Sequence, residues 1–249
     1  MKPRIYLDHA ATTPLLPQAR AAMLEGFDAW ANPSSPHAVG RRAKALLEDA
    51  RRRIAQALDW DGHVIFTSGA SEALAIALTR TKLAHVFAGA SEHDAVLRHV
   101  PEGRRLPVDE AGIVRLPDEV PGAALIAIQQ VNSETGVLQP LDTLGEAIRE
   151  RGSILLADCS QSAGKIPLPL GADLIAVSAH KLGGPIGIGA LLLRDLTLLA
   201  PSGGQEQGYR AGTEAMPLAL GFAAALEAPG DWLANVTTWR ARLDAEIVA

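Results

Sequence analysis

The chain has 249 residues, enough for one large domain or two small ones with a sizeable core. It is 48% apolar and only 4% aromatic, with a net charge of −5, which suits a soluble α/β protein and disfavours a disordered, fibrous or nucleic-acid-binding one. There is no apolar run of membrane-spanning length and no signal-like segment, and the single cysteine, Cys159, excludes an intrachain disulfide or a cysteine-based metal cluster, so a cytoplasmic protein without membrane or metal is expected.

Residues 4–7 read as a short strand, ended by a small, polar loop from Asp8 to Pro14 that either lines a site or merely turns. Helical periodicity runs from Pro17 to Trp30. After the break Asn32-Pro33-Ser34, Ser35 as N-cap and Pro36 at the first helical position predict a long amphipathic helix to about Leu58. Its apolar stripe includes Val39, Ala43, Leu47, Ala50 and Ile54. Arg51-Arg52-Arg53 follow Glu48 and Asp49 and read as the solvated face of that helix.

His63 to Phe66 is a predicted strand, followed by the turn Thr67-Ser68-Gly69-Ala70-Ser71-Glu72 and a helical run from Ala73 to Leu78. Strand, small turn and helix present free N–H groups and a positive dipole end, so the turn is either a phosphate cradle or an ordinary helix start. It has the glycines of neither the P-loop nor the dinucleotide fingerprint. A second strand, His85 to Phe87, leads through Ser91-Glu92-His93 into a helix, and His93 reads as a structural histidine or as a ring stacked on a cofactor. Residues 101–122 are placed at the surface. The apolar strand Leu125 to Ile128, the helix Leu141 to Glu150 and the strand Ile154 to Ala157 follow, the last ending on Asp158 with Gln161 just beyond.

The stretch 174–190 organises the rest. Leu174 to Val177 delivers Ser178, His180 and Lys181 to the end of a buried strand, and a glycine-rich turn leads to the strand Ala190 to Leu193. The long loop Gly203 to Thr213 precedes a helix from Leu218 to Leu226, and a final helix from about Asp231 to Val248 is cut off without a C-cap. Strands alternating with helices predict an α/β fold, a mostly parallel sheet with helices on both faces, whose ligand edge lies at the strand C-termini. Asp158 and Lys181 both sit at such ends. A strand-end carboxylate, a pocket lysine, an aromatic histidine and an anion cradle together suit pyridoxal 5'-phosphate, which needs an amine for its aldehyde, an acid for its ring nitrogen and a phosphate site.

The motifs resemble those of the cysteine desulfurases of the class V aminotransferase family, fold type I enzymes dependent on pyridoxal phosphate. The matching stretches include Tyr6 to Pro14, Asn32 to His37, Phe66 to Glu72, Ser91 to Val96, Val131 to Gly136, Asp158 to Gln161, Ser178 to Lys181 and Gly203 to Thr213, all in the family's order. The resemblance implies that Lys181 bonds the cofactor's aldehyde and shuttles protons, His93 stacks on the ring, Asp158 pairs with the ring nitrogen and Gln161 bonds the ring hydroxyl. By the same resemblance Ser71, Ser178, His180 and the N–H of Ala70 hold the phosphate, Asn132 lies near cofactor and substrate, and Thr213 reaches the phosphate of a partner subunit, implying a homodimer. The implied reaction converts L-cysteine to L-alanine and leaves a persulfide for a sulfur-acceptor protein such as an iron–sulfur scaffold, or for thio-cofactor assembly.

Residues 1–14 are expected to be a segment on the small-domain side, 15–230 a cofactor-binding large domain, and 231–249 the start of a helix toward a small domain that this chain lacks. The family's persulfide cysteine and substrate-carboxylate arginine are expected in that missing region, so the chain alone is not expected to turn over fully. Cys159 is read as a packing residue. Ser71 stands where threonine is commoner, Ala73-Leu74-Ala75 where polar residues are frequent, and Ile186 where a basic residue is frequent. A selenocysteine lyase or another class V enzyme is the alternative within the family, and a non-catalytic scaffold in sulfur-transfer assembly the alternative outside catalysis. A nucleotide-binding α/β domain is disfavoured by the missing glycine fingerprint.

Overall fold

The computed structural model describes residues 5–117, 123–230 and 232–248. Its strands are β1 (His63–Thr67), β2 (His85–Gly89), β3 (Arg105–Leu106), β4 (Ala124–Gln129), β5 (Ile154–Asp158), β6 (Leu174–Ser178) and β7 (Gly189–Leu193). They form a single sheet in the order β1-β7-β6-β5-β4-β2-β3. From β3 to β6 every neighbouring pair is parallel, whereas β7 runs antiparallel to both β6 and β1. The mostly parallel α/β sheet is therefore as expected, with one reversed strand inserted where the glycine-rich turn sends the chain straight back.

The helices are α1 (Pro17–Asp28), α2 (Ala38–Ala57), α3 (Ala70–Arg80), α4 (Asp94–Leu97), α5 (Leu141–Glu150), α6 (Met216–Leu226) and α7 (Trp232–Val248). Side chains alternate between the sheet faces, so Val64 and Phe66 join one core and Ile65 the other. The first core is closed by α2, α5 and α6, the second by α3 and α4. Because β4, β6 and β7 are buried along their whole length, they read as unbroken apolar runs rather than alternating ones. Helix α6 packs against both α1 and α2, which explains why it is apolar on nearly every side. Among the described residues no helix is long and apolar enough to cross a membrane.

Four local expectations are corrected. Residues 5–7 form no strand, and Ile5 and Leu7 are exposed, because no strand lies beside them to share backbone hydrogen bonds; Arg4 lies outside the described residues. Helix α2 starts later than expected: His37, not Ser35, is the cap, its Nδ1 accepting from the Gly40 N–H at 3.2 Å. Arg51 does not belong to a solvated face, since its guanidinium bonds the wholly buried Glu206 at 2.6 and 2.9 Å and lies over the Phe66 ring. The region after residue 101 is not all surface: β3 adds an edge strand to the sheet, and Leu106 and Val114 are buried. The rest of that stretch, 118–122, lies outside the described residues, as does Asp231, the expected start of α7.

Candidate active site

Strands β1, β2, β4, β5 and β6 all point their C-terminal ends at one edge of the sheet, with Gln129 of β4 beside Asp158 of β5. A cavity of about 600 Å³ opens there. Beyond β6 the chain makes a short 3-10 turn, Ala179–Lys181, held by the Ala179 N–H on the Ile188 carbonyl (3.1 Å) and the Gly184 N–H on the Ala179 carbonyl (2.9 Å). The N-terminal segment crosses this turn. The Thr13 N–H donates to the His180 carbonyl (2.8 Å), the Thr13 hydroxyl to the Lys181 carbonyl (2.9 Å) and the Leu16 N–H to the Gly183 carbonyl (2.9 Å). The Lys181 ammonium and the Gln161 amide (2.8 Å) converge on the Ala10 carbonyl.

Asp158 is buried at the end of β5, and its Oδ1 accepts from the N–H (2.9 Å) and hydroxyl (2.5 Å) of Ser160. Burial raises its carboxyl above the ordinary value, against the Ser160 bonds and the charges of His93 and Lys181. Partial burial lowers the Lys181 amine, against the attraction of Asp158 and Asp8. His180, whose Nδ1 lies 3.2 Å from the Thr12 hydroxyl, is lowered by burial and by the neighbouring Lys181 charge. His93 caps α4: its Nδ1 accepts from the Ala95 N–H at 3.0 Å, which fixes the ring and leaves Nε2 as the edge free for other partners.

On the opposite wall, Gly69 joins β1 to α3 with φ +155°, a conformation that L side chains rarely adopt. Gly189 of β7 packs directly against it, and a Cβ there would lie 2.4 Å from the Val177 carbonyl oxygen and 2.7 Å from the Gly69 Cα. This close approach places Gly69, Ala70 and Ser71 in the cavity wall, where the first turn of α3 has N–H groups without helical partners. Ser178 lines the same space.

Eight of the ten residues singled out from the sequence line this cavity: Ala70, Ser71, His93, Asp158, Gln161, Ser178, His180 and Lys181. Asn132 stands outside the lining and organises its own loop, its carbonyl accepting from the N–H groups of Glu134 and Thr135 and its amide donating to the Ser91 carbonyl. Thr213 is exposed and also outside the lining. Sequence reasoning missed Glu72, Gln129 and Ser160 in the wall and left the loop of Asp8 and Ala10 undecided. Ser160 had a readable signal, since an aspartate accepting from the residue two further on is the Asx-turn spacing.

The donor set fits a phosphate-bearing cationic pyridine aldehyde: an amine with lowered basicity, a buried carboxyl that forms no ion pair among the described residues, a fixed imidazole and a helix start flanked by hydroxyls. The chain resembles cysteine desulfurase IscS of Rickettsia felis, with 39% identity over 252 residues, covering 90% of this chain and 61% of that protein. Among solved structures, a NifS-like protein from Rickettsia africae has a TM-score of 0.88 at 29% identity, covering 98% of this chain and 74% of that one. SspA, solved in complex with cysteine, has a TM-score of 0.81 at 30% identity, covering 90% and 72%. The chain spans about six-tenths of the length of the curated relatives it matches. The sheet with its one reversed strand, the lysine at the end of β6 and a match of residues 5–246 to the Aminotransferase class-V family model agree, and the chain belongs to that family.

Proposed function

We propose that the cavity holds pyridoxal 5'-phosphate and that the whole protein removes sulfur from L-cysteine, leaving L-alanine and passing the sulfur to an acceptor protein such as an iron–sulfur scaffold. The observation that carries this reading is the convergence of Lys181, Asp158, His93 and the α3 start on one cavity. The likeness to cysteine desulfurases over nine-tenths of this chain, and to a structure with cysteine bound, supports the substrate class.

When bound, this cofactor supplies an electron sink for charge developing at the substrate's α-carbon. Lys181 supplies the amine for the aldehyde carbon and moves protons through Nζ, a task helped by its lowered basicity. Asp158 holds the proton on the ring nitrogen. His93 flanks the ring, Gln161 bonds its hydroxyl, and the α3 N–H groups with Ser71, Ser178 and His180 bind the phosphate. Residues 15–230 are the cofactor-holding domain in this proposal. The exposed Thr213, outside its own chain's cavity, is assigned to the phosphate of a partner subunit in a homodimer.

The test is the visible spectrum of the purified chain with pyridoxal phosphate, compared with Lys181→Ala, before and after L-cysteine. A band that needs Lys181 and shifts with cysteine is expected. A chain without a Lys181-dependent band would overturn the reading.

A further inference from the structure

One buried acid next to the cavity is used by none of the roles above. Glu92 lies in the loop from β2 to α4, immediately before His93, and is 5% exposed. Its Oε1 accepts from the Gln129 N–H at 2.8 Å, at the last residue of β4. The same loop is held to β4 a second time, by the Gln129 amide on the Ser91 carbonyl (2.6 Å), and to the next loop by the Asn132 amide on that carbonyl (3.0 Å). Gly89 leaves room for the carboxyl, since a Cβ there would come within 3.1 Å of Glu92 Oε1.

The other oxygen, Oε2, is buried and meets no donor or acceptor of the protein. No basic side chain pairs with Glu92 among the described residues, and the charged group that acts on it is Asp158, across the Gln129–Asp158 register. A buried carboxylate with one N–H for a partner and a second acid beside it is far costlier than the neutral acid. Asp158, by contrast, has two donors on Ser160 and the nearby charges of His93 and Lys181.

We propose that Glu92 is a positioning residue: as a neutral acid it bolts the loop carrying His93 to the end of β4 and leaves the negative charge of this corner to Asp158. What His93 and Asp158 are positioned for rests on the proposed cofactor reading; the state of Glu92 does not. Burial pushes the Glu92 carboxyl well above its ordinary value, the Gln129 bond opposing and the Asp158 charge adding to the rise. A raised acid makes the folded state hold a proton that the unfolded chain releases above about pH 4.5, so stability falls as pH rises from there toward the folded-state value.

Two measurements on the full chain test this. In the first, unfolding of the unloaded protein is followed by denaturant titration between pH 5 and 8, for wild type and Glu92→Gln, which keeps the shape and the acceptor but has no proton to lose. The ratio of the wild-type to the variant unfolding constant should rise about tenfold per pH unit while the folded acid keeps its proton. A ratio that stays flat means an ionised Glu92 and overturns the proposal. In the second, pyridoxal phosphate is titrated by absorbance. Glu92→Gln should bind within about threefold of wild type, and Glu92→Ala, which orphans the Gln129 N–H, about tenfold or more weaker. Wild-type affinity in the alanine variant, or equal loss in both variants, overturns the positioning role. If the alanine variant fails to fold, the glutamine variant and the pH series decide. A wild-type chain lacking a Lys181-dependent band defeats the cofactor reading instead, and the pH series alone then judges Glu92.

Discussion

The ammonium of Lys181 donates to the backbone carbonyl of Ala10, 171 residues earlier in the chain. The Gln161 amide donates to the same oxygen, so one main-chain acceptor holds two of the groups assigned to the cofactor. A cofactor aldehyde would compete with this carbonyl for the amine, and Asp8, Ala10 and Ala11 of the same segment line the cavity themselves.

The Lys181 amine can be titrated directly. Its basicity is lowered by burial, so covalent trapping of pyridoxal phosphate by borohydride on the unloaded chain should reach half its maximal rate at a pH below 10.5, the ordinary lysine value. Lys181→Ala should abolish the trapped product. A midpoint at or above 10.5, or labelling spread over other lysines, would contradict the assignment.

Substitution of Asp158 should separate stability from binding. Because burial raises its carboxyl, the folded protein gains from keeping the proton, and this contribution is lost as pH rises through the raised value. Asp158→Asn should therefore stabilise the unloaded chain relative to wild type at neutral pH, with the gain vanishing below about pH 3.8. The same change should weaken pyridoxal phosphate binding by about tenfold or more, the equivalent of one pKa unit on the ring nitrogen. Calorimetry and absorbance titration should give opposite signs; a destabilised variant would contradict the raised carboxyl, and unchanged binding would remove Asp158 from the cofactor's partners.

Cys159 is fully buried, and burial drives its thiol far above the ordinary cysteine value. Iodoacetamide at pH 8 should leave the native chain unmodified and label it stoichiometrically after denaturation. Mass spectrometry of the native sample showing one adduct per chain would reopen Cys159 as a sulfur carrier.

The Arg51–Glu206 pair should matter more to stability than any surface ion pair here. Glu206 accepts from Arg51 Nη1 and Nη2 and from the Phe66 N–H (2.7 Å), thereby fastening the 203–213 loop to β1. Arg51→Met strands a buried carboxylate and should cost about 3–5 kcal/mol. Arg52→Met, on an exposed pair with Asp49, should cost no more than about 1 kcal/mol. Equal denaturation midpoints for the two variants would refute the contrast.

What was legible in the sequence follows from this geometry. Apolar runs that stop on a polar side chain, as at Asp158 and Ser178, mark buried parallel strands reaching the ligand edge, so the polar strand ends in the cavity wall were readable before its shape was known. Residues 5–7 misled because strand propensity counts only where a neighbouring strand supplies hydrogen bonds. Ser35 lost the cap to His37 because several polar residues in a row compete for one helix start and local sequence does not rank them. Arg51 and Glu92 were unreadable for a different reason: a charge inside a protein is set by partners far away in sequence, 155 residues away for Arg51 and Glu206.

The crossing of the N-terminal segment over the Ala179–Lys181 turn also dictates an order of assembly on the ribosome. Thr12 and Thr13 emerge early, yet their partners follow 168 residues later. At about 5–20 residues per second, these threonines wait roughly 8–34 s for the turn that will hold them. The 8–13 segment therefore cannot take up its place until residues 180–183 have been made, and this edge of the cavity closes only after Lys181 has emerged.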